Sequence, residues 1–264
     1  LVLYGITKKN KAFRPRSMIN VQVEILVERE TGPRPVPAPT PAPPVSVPVL
    51  PAMAIGPKEW SQYFGEVGAA PPLPANIDAV LDSPCPFWPD KRVKDTHLLV
   101  LVPATVDGMP FTLDRLGELI KSPQGGGSKT KYDYYDSHVQ KELGAQSPGS
   151  SYWVLMTRDV LPDSRDETHG VQKEMVAAHA SRLDLPYEMP DSLSAATAIL
   201  LHHACTGERL YTDAPWTYTQ CQEKVANNRY PVVVGGFSSG GLDVHCNYDR
   251  VHYYDGGVSC LRKF

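Results

Sequence analysis

The chain has 264 residues, 42% of them hydrophobic and 21% charged, which suits one sizeable domain with appendages. Its formal net charge of -3 gives no electrostatic basis for binding nucleic acid or an anionic membrane. No apolar run approaches the roughly 18 residues of a membrane span.

Residues 1–31 form an N-terminal arm. Within it Ile19-Asn20-Val21-Gln22-Val23-Glu24-Ile25-Leu26-Val27 alternates like a strand, which needs a partner to hold a core. Residues 32–57 read as a linker, since Pro33 to Pro51 carries nine prolines and favours a semi-rigid polyproline II spacer. Pro41-Ala42-Pro43-Pro44 also contains a P-x-x-P, for which a spacer is the simpler explanation. The partner of that strand is the main domain, a further domain or another chain, and oligomerisation through residues 1–51 is one role open to these segments.

The main domain is expected over residues 58–264. Trp60, Tyr63 and Phe64 mark a short aromatic-faced helix, and Pro84-Cys85-Pro86-Phe87-Trp88-Pro89 a rigid loop. Apolar strands are predicted over 97–103, 152–157 and 231–237. Helices are predicted over 112–121, 170–183 and 193–205, the second with Val171, Met175, Val176 and His179 on one face. Thr112 starts the first helix, Ser122-Pro123 stops it, and Gly207 stops the third. Strands concentrate toward the end of the chain, which predicts an α+β fold rather than a repeating βαβ sheet.

No catalytic constellation emerges. Gly236-Phe237-Ser238-Ser239-Gly240 fits G-x-S-x-G by letters, but Leu242-Asp243-Val244-His245-Cys246-Asn247 does not read as the helix a nucleophile elbow needs. His202-His203 point roughly 100° apart on a helix, so one packed and one solvated imidazole is expected. Asp163, Asp166 and Glu167 suit the positive end of the helix that follows. Gly125-Gly126-Gly127-Ser128-Lys129-Thr130 lacks Walker spacing and reads as a flexible loop. Cys85, Cys205, Cys221, Cys246 and Cys260 match no zinc pattern. Free thiols are expected, a Cys246–Cys260 disulfide being the alternative. No cofactor and no metal are expected.

The tail differs in kind. Residues 243–255 are crowded with Asp, His, Asn, Tyr and Arg, and are flanked by Gly240-Gly241-Leu242 and Gly256-Gly257-Val258. Tyr supplies rigid amphipathic contact area and Asn and Asp adaptable hydrogen bonds, as in a paratope. Beyond it, Val258-Ser259-Cys260-Leu261-Arg262 reads as a strand returning to the core.

Gly235-Gly236-Phe237, Gly240-Gly241-Leu242 and Gly257-Val258-Ser259-Cys260-Leu261-Arg262 together resemble the C-terminal end of C-type-lectin-like domains, the formylglycine-generating-enzyme branch included. Tyr187-Glu188-Met189-Pro190 and the helix after it resemble that family's Arg-Leu-Pro-Thr-like turn, with Glu188 and Met189 departing from it. The polar insert resembles the variable region of proteins diversified by retroelement reverse transcriptases. There, errors at template adenines turn Asn-type codons into Asp, His, Tyr, Ser, Cys, Arg or Gly, and never into Lys, Glu, Gln, Met or Trp. Residues 243–255 contain none of that last group.

The resemblance implies a non-enzymatic ligand-binding protein with a variable region about 237–260. The expected contacts are Asp243, His245, Cys246, Asn247, Asp249, Arg250, His252, Tyr253 and Asp255, with Trp216 and Tyr218 lining the same site. The expected partner is a macromolecular or surface ligand, a protein foremost. The Glu-Pro-Asn and Trp-Asn-Asp motifs of calcium-dependent sugar binding do not occur. The alternatives are a formylglycine-generating-like enzyme with a copper-capable cysteine pair, and a structural or appendage subunit. The chain begins at Leu1 rather than Met and shows no signal-peptide pattern, and surface display, secretion and an internal location all stay open.

Overall fold

The computed structural model describes residues 50–247 and 254–264. The predicted N-terminal strand, the proline-rich segment up to Val49, and Asp249, Arg250, His252 and Tyr253 lie outside the described residues.

In chain order the elements begin with β1 (Ala54–Ile55), α1 (Pro57–Tyr63), α2 (Ile77–Asp82), α3 (Val93–Thr96) and β2 (His97–Val102). There follow β3 (Thr105–Val106), β4 (Met109–Pro110), α4 (Leu113–Leu119), β5 (Tyr132–Tyr135), α5 (Ser137–Leu143) and β6 (Tyr152–Thr157). Then come the two long helices, α6 (His169–Leu183) and α7 (Ser192–Thr206). The chain closes with β7 (Tyr218–Val225), β8 (Tyr230–Gly235), β9 (Leu242–Cys246), β10 (Gly256–Gly257) and β11 (Leu261–Lys263). The fold is α+β.

Among the described residues three sheets form: four strands in the order β1-β2-β6-β11, five in the order β10-β7-β8-β9-β5, and the pair β3-β4. The apolar runs over 97–102 and 152–157 pair antiparallel in the middle of the four-stranded sheet. They carry no alternation because every residue of β2 is buried. β1 pairs parallel with β2, so residues 54–55, assigned to the linker from sequence, belong to the folded unit. Trp60 of α1 is buried and donates its indole N–H to the Leu101 carbonyl at 2.9 Å, fixing α1 over the same sheet.

α7 contacts β2, β6, β7 and β8 and so joins the two larger sheets. Its run of Ala, Ile and Leu is buried on nearly all sides, as a helix held between sheets requires. Asp191 caps it by accepting from the Ser194 amide at 2.7 Å. Gly207 ends it at φ 77.

α6 departs from its predicted face. Val171 is 42% exposed, while His169, Gln172 and Val176 are the residues buried. The polar pair is accommodated by partners that periodicity cannot reveal: His169 Nε2 bonds the Cys221 carbonyl at 3.0 Å, and the Gln172 amide donates to the Ser164 carbonyl at 2.7 Å. His202 and His203 are likewise both buried, not one packed and one solvated. Glu208 holds His202 at 2.7 Å, and His203 packs edge-on against Phe237 at 4.9 Å.

The returning strand is shorter than the sequence suggests. Only Leu261–Lys263 pairs with β6, and Val258, Ser259 and Cys260 reach it as a buried extended lead-in. All five cysteines are free thiols. No helix among the described residues is long and apolar enough to cross a membrane.

Candidate functional site

The tail enters the fold as β9, antiparallel to β8 and parallel to β5. At the start of the stretch crowded with polar residues, β9 follows a strand's two-residue period. Leu242 and Val244 are buried, while Asp243 and His245 are partly exposed. Cys246 and Asn247 continue the partly exposed edge, and the Asn247 amide donates to the Pro231 carbonyl at 2.9 Å.

Registry brings separate residues onto one face. Gly235 of β8 is opposite both Tyr218 of β7 and Asp243 of β9, and residues directly opposite project to the same side. Since Gly235 has no side chain, the Tyr218 hydroxyl reaches across β8 and donates to Asp243 Oδ2 at 2.9 Å. The other oxygen of Asp243 accepts from the Tyr134 amide of β5 at 3.1 Å. Burial raises the Asp243 carboxyl above its usual range, opposed by the Tyr218 bond. Burial lowers the neighbouring His245 imidazole below its ordinary value, which favours the neutral ring near pH 7.

An aromatic ladder lies along this face. The Trp216 and Tyr218 rings are stacked, with centroids 6.0 Å apart and planes 1° from parallel. His245 meets Tyr218 edge-on at 5.3 Å and Tyr134 at 5.7 Å. Trp216 is 44% exposed and Tyr134 54%, whereas Tyr218 is buried and supports the surface from beneath. Core packing, the ordinary role of a Trp, is therefore not the role of Trp216. Gly236, at φ 57, sits against this stack, and a Cβ there would collide with the Tyr218 hydroxyl and lie 2.9 Å from the Trp216 ring.

The far end of the insert is also anchored. β10 runs parallel to the start of β7, pairing Gly256 with Tyr218 and Gly257 with Thr219. The Asp255 carbonyl accepts from the Tyr218 amide at 2.9 Å and from Arg165 at 3.3 Å. Arg165 also donates to the Trp216 carbonyl at 3.1 Å and to Thr217 Oγ1 at 2.8 Å. One guanidinium thus ties the Trp216 loop to the returning tail.

Of the expected contacts, the structure brings Asp243, His245, Trp216 and Tyr218 together on one face. Asp255 adjoins it through the Tyr218 backbone. Cys246 lies toward α5, its thiol donating to Asp136 Oδ1 at 3.6 Å. Burial raises that thiol to about 11, so it is a weak nucleophile at neutral pH. Tyr134 and Arg165 were not legible as site residues. β5 precedes β9 by about a hundred residues and pairs with it in parallel, a relationship without a local sequence signal. Asp136 is a third missed residue: burial opposes its ionisation, but the His138 and Val139 amides, with the Cys246 thiol and the Tyr134 hydroxyl, hold it below the usual carboxylate range.

After Gly240 the chain enters β9, a strand, so Ser238 and Ser239 do not stand on a strand–turn–helix elbow. Among the described residues no group of three or more His, Cys, Asp or Glu is arranged to hold a metal ion. No protein-family model matches the chain, and no curated protein or solved structure matches it either.

Proposed function

We propose that this chain is a ligand-binding protein that displays a hypervariable C-terminal surface on a C-type-lectin-like scaffold, diversified by a retroelement reverse transcriptase. The observation that carries the proposal is the two-sided character of β9. Leu242 and Val244 face the core, while Asp243 and His245 face the side where Trp216 and Tyr134 are exposed. Outward positions on such a strand can change without disturbing the core, although at Asp243 the exchange also gives up the bonds from Tyr218 and Tyr134, roughly 1 kcal/mol each. The backbone beneath them is fixed by strand pairing on both sides, which lowers the ordering cost of binding. The ligand is a macromolecule or surface, a protein foremost.

An enzyme on the same scaffold would need a reactive cysteine pair in a cleft. Cys85, Cys221 and Cys260 are buried, which leaves the partly exposed Cys205 and Cys246 as the thiols open to a substrate. The binding role is the better supported of the two.

Sequencing the locus and its flanks across related isolates tests the proposal. Substitutions should concentrate at Asp243, His245, Asn247 and residues 248–255, match adenines of a nearby template repeat, and spare Leu242 and Val244. Variation spread equally over α7 and the tail would refute it.

A further inference from the structure

The exposed aromatic side chains of the domain are not scattered. Among the described residues the large exposed hydrophobic side chains are Met109, Tyr134, Val171, Trp216 and Tyr254. Trp216 and Tyr134 flank the Asp243–His245 pair. Tyr254, 76% exposed, immediately precedes the Asp255–Gly257 segment held against Tyr218. The surroundings of these rings are acidic. Asp136 accepts from the Tyr134 hydroxyl, Asp243 accepts from the Tyr218 hydroxyl, and the charge of Asp133 acts on Asp243.

Among the described residues the cations held at this face are Lys131 and Arg165. Lys131 lies 3.7 Å from Asp133, and Arg165 is committed to backbone carbonyls and Thr217. His245 supplies no compensating charge while its ring is neutral. Ring faces carry negative electrostatic potential, and carboxylates beside them deepen it.

We infer that the face formed by Trp216, Tyr134, Asp243 and Asp133 docks a basic protein segment, with arginine side chains stacking on the exposed rings and pairing with the carboxylates. Arginine fits better than lysine because its planar guanidinium stacks on an aromatic face and forks onto a carboxylate at once. The inference rests on the binding role proposed above and names the chemistry of the partner for this particular variant of the surface.

The test uses the full chain and four fluorescein-labelled peptides of equal length, rich in Arg, Lys, Gln or Glu, followed by anisotropy. The Arg peptide should bind tightest, the Lys peptide more weakly, and the Glu peptide least. Raising the salt concentration should weaken the Arg complex, as screening requires. Trp216→Ala should weaken Arg-peptide binding by about tenfold. Because Trp216 also stacks on Tyr218, the unfolding midpoint of the variant is measured alongside and binding is compared at a temperature where both proteins are fully folded. Asp243→Asn with Asp133→Asn should weaken binding and flatten its salt dependence.

Equal binding of the Arg and Gln peptides, or an unchanged affinity in Trp216→Ala, overturns the inference, as does the absence of binding by any peptide. If the Gln or Glu peptide binds and Trp216→Ala abolishes that binding, the cationic partner is wrong while the binding face stands. The proposed diversification fails separately, through the isolate sequences, whatever the peptides do.

Discussion

Tyr218 and Asp243 belong to strands that do not touch, yet they share a 2.9 Å hydrogen bond over the bare backbone of Gly235. The bond fastens the start of the tail to the aromatic ladder. Tyr218→Phe removes the donor and leaves the ring. It is expected to cost about 1 kcal/mol of stability in urea unfolding. It should also move the Asp243 carboxyl further up, since the Tyr218 bond is what opposes its burial. A side-chain carboxyl titration by NMR reads that shift directly.

Gly236→Ala should be the more damaging change. It places a methyl at φ 57, where it meets the Tyr218 hydroxyl and the Trp216 ring. A loss of roughly 1–3 kcal/mol is expected from strain at this backbone position and displacement of the stack. Near-ultraviolet circular dichroism should show the altered Trp216 environment, and thermal unfolding the loss of stability.

His97 makes the domain sensitive to acid. It is buried with Nδ1 2.9 Å from Thr96 Oγ1 and no partner for Nε2, and burial lowers its pKa to about 4. Above the ordinary histidine pKa of 6.5 the ring is neutral in both folded and unfolded chains, so stability does not depend on it. Between 6.5 and about 4 the unfolded chain takes up a proton that the fold refuses, and stability falls with pH. The loss attributable to His97 is roughly 3 kcal/mol over that window. His97→Phe, beside Phe87 and Tyr187, should flatten the dependence measured by urea unfolding at a series of pH values.

Glu223 acts in the opposite sense. Burial, aided by the charge of Asp191, raises its carboxyl, although Ser192 donates to it through both amide and hydroxyl. A raised carboxyl contributes stability that is complete below its unfolded value of about 4.5 and is lost as pH rises through the folded value. Glu223→Gln keeps an acceptor for Ser192 and carries no charge. It is expected to match the parent at pH below about 4.5 and to exceed it in unfolding midpoint at pH 8.

The sequence made the scaffold legible where burial is one-sided in chemistry. β2 and β6 are unbroken apolar runs, and α7 is apolar with a clear Asp191 start and Gly207 stop. It misled where buried positions are polar. His169 and Gln172 point inward on α6 because specific carbonyls receive them, and hydropathy alone placed Val171 there instead. Within the candidate site the aromatic and acidic residue types were readable, but their grouping was not. Tyr134 and Asp243 meet only through parallel pairing of β5 with β9, and Trp216 could be told from a core tryptophan only by its exposure.

The insert leaves the scaffold and returns to it at two independently fastened points. Asn247 is held to Pro231 of β8, and Asp255 and Gly256 are held to Tyr218 of β7. The two attachments belong to neighbouring strands and do not depend on the identity of residues 248–253. Length between them is then a nearly free variable, because doubling a closed loop costs only about 0.6 kcal/mol. The same domain can accept a graft of foreign sequence between Asn247 and Asp255, a mounting point for peptides of different sizes as well as of different composition.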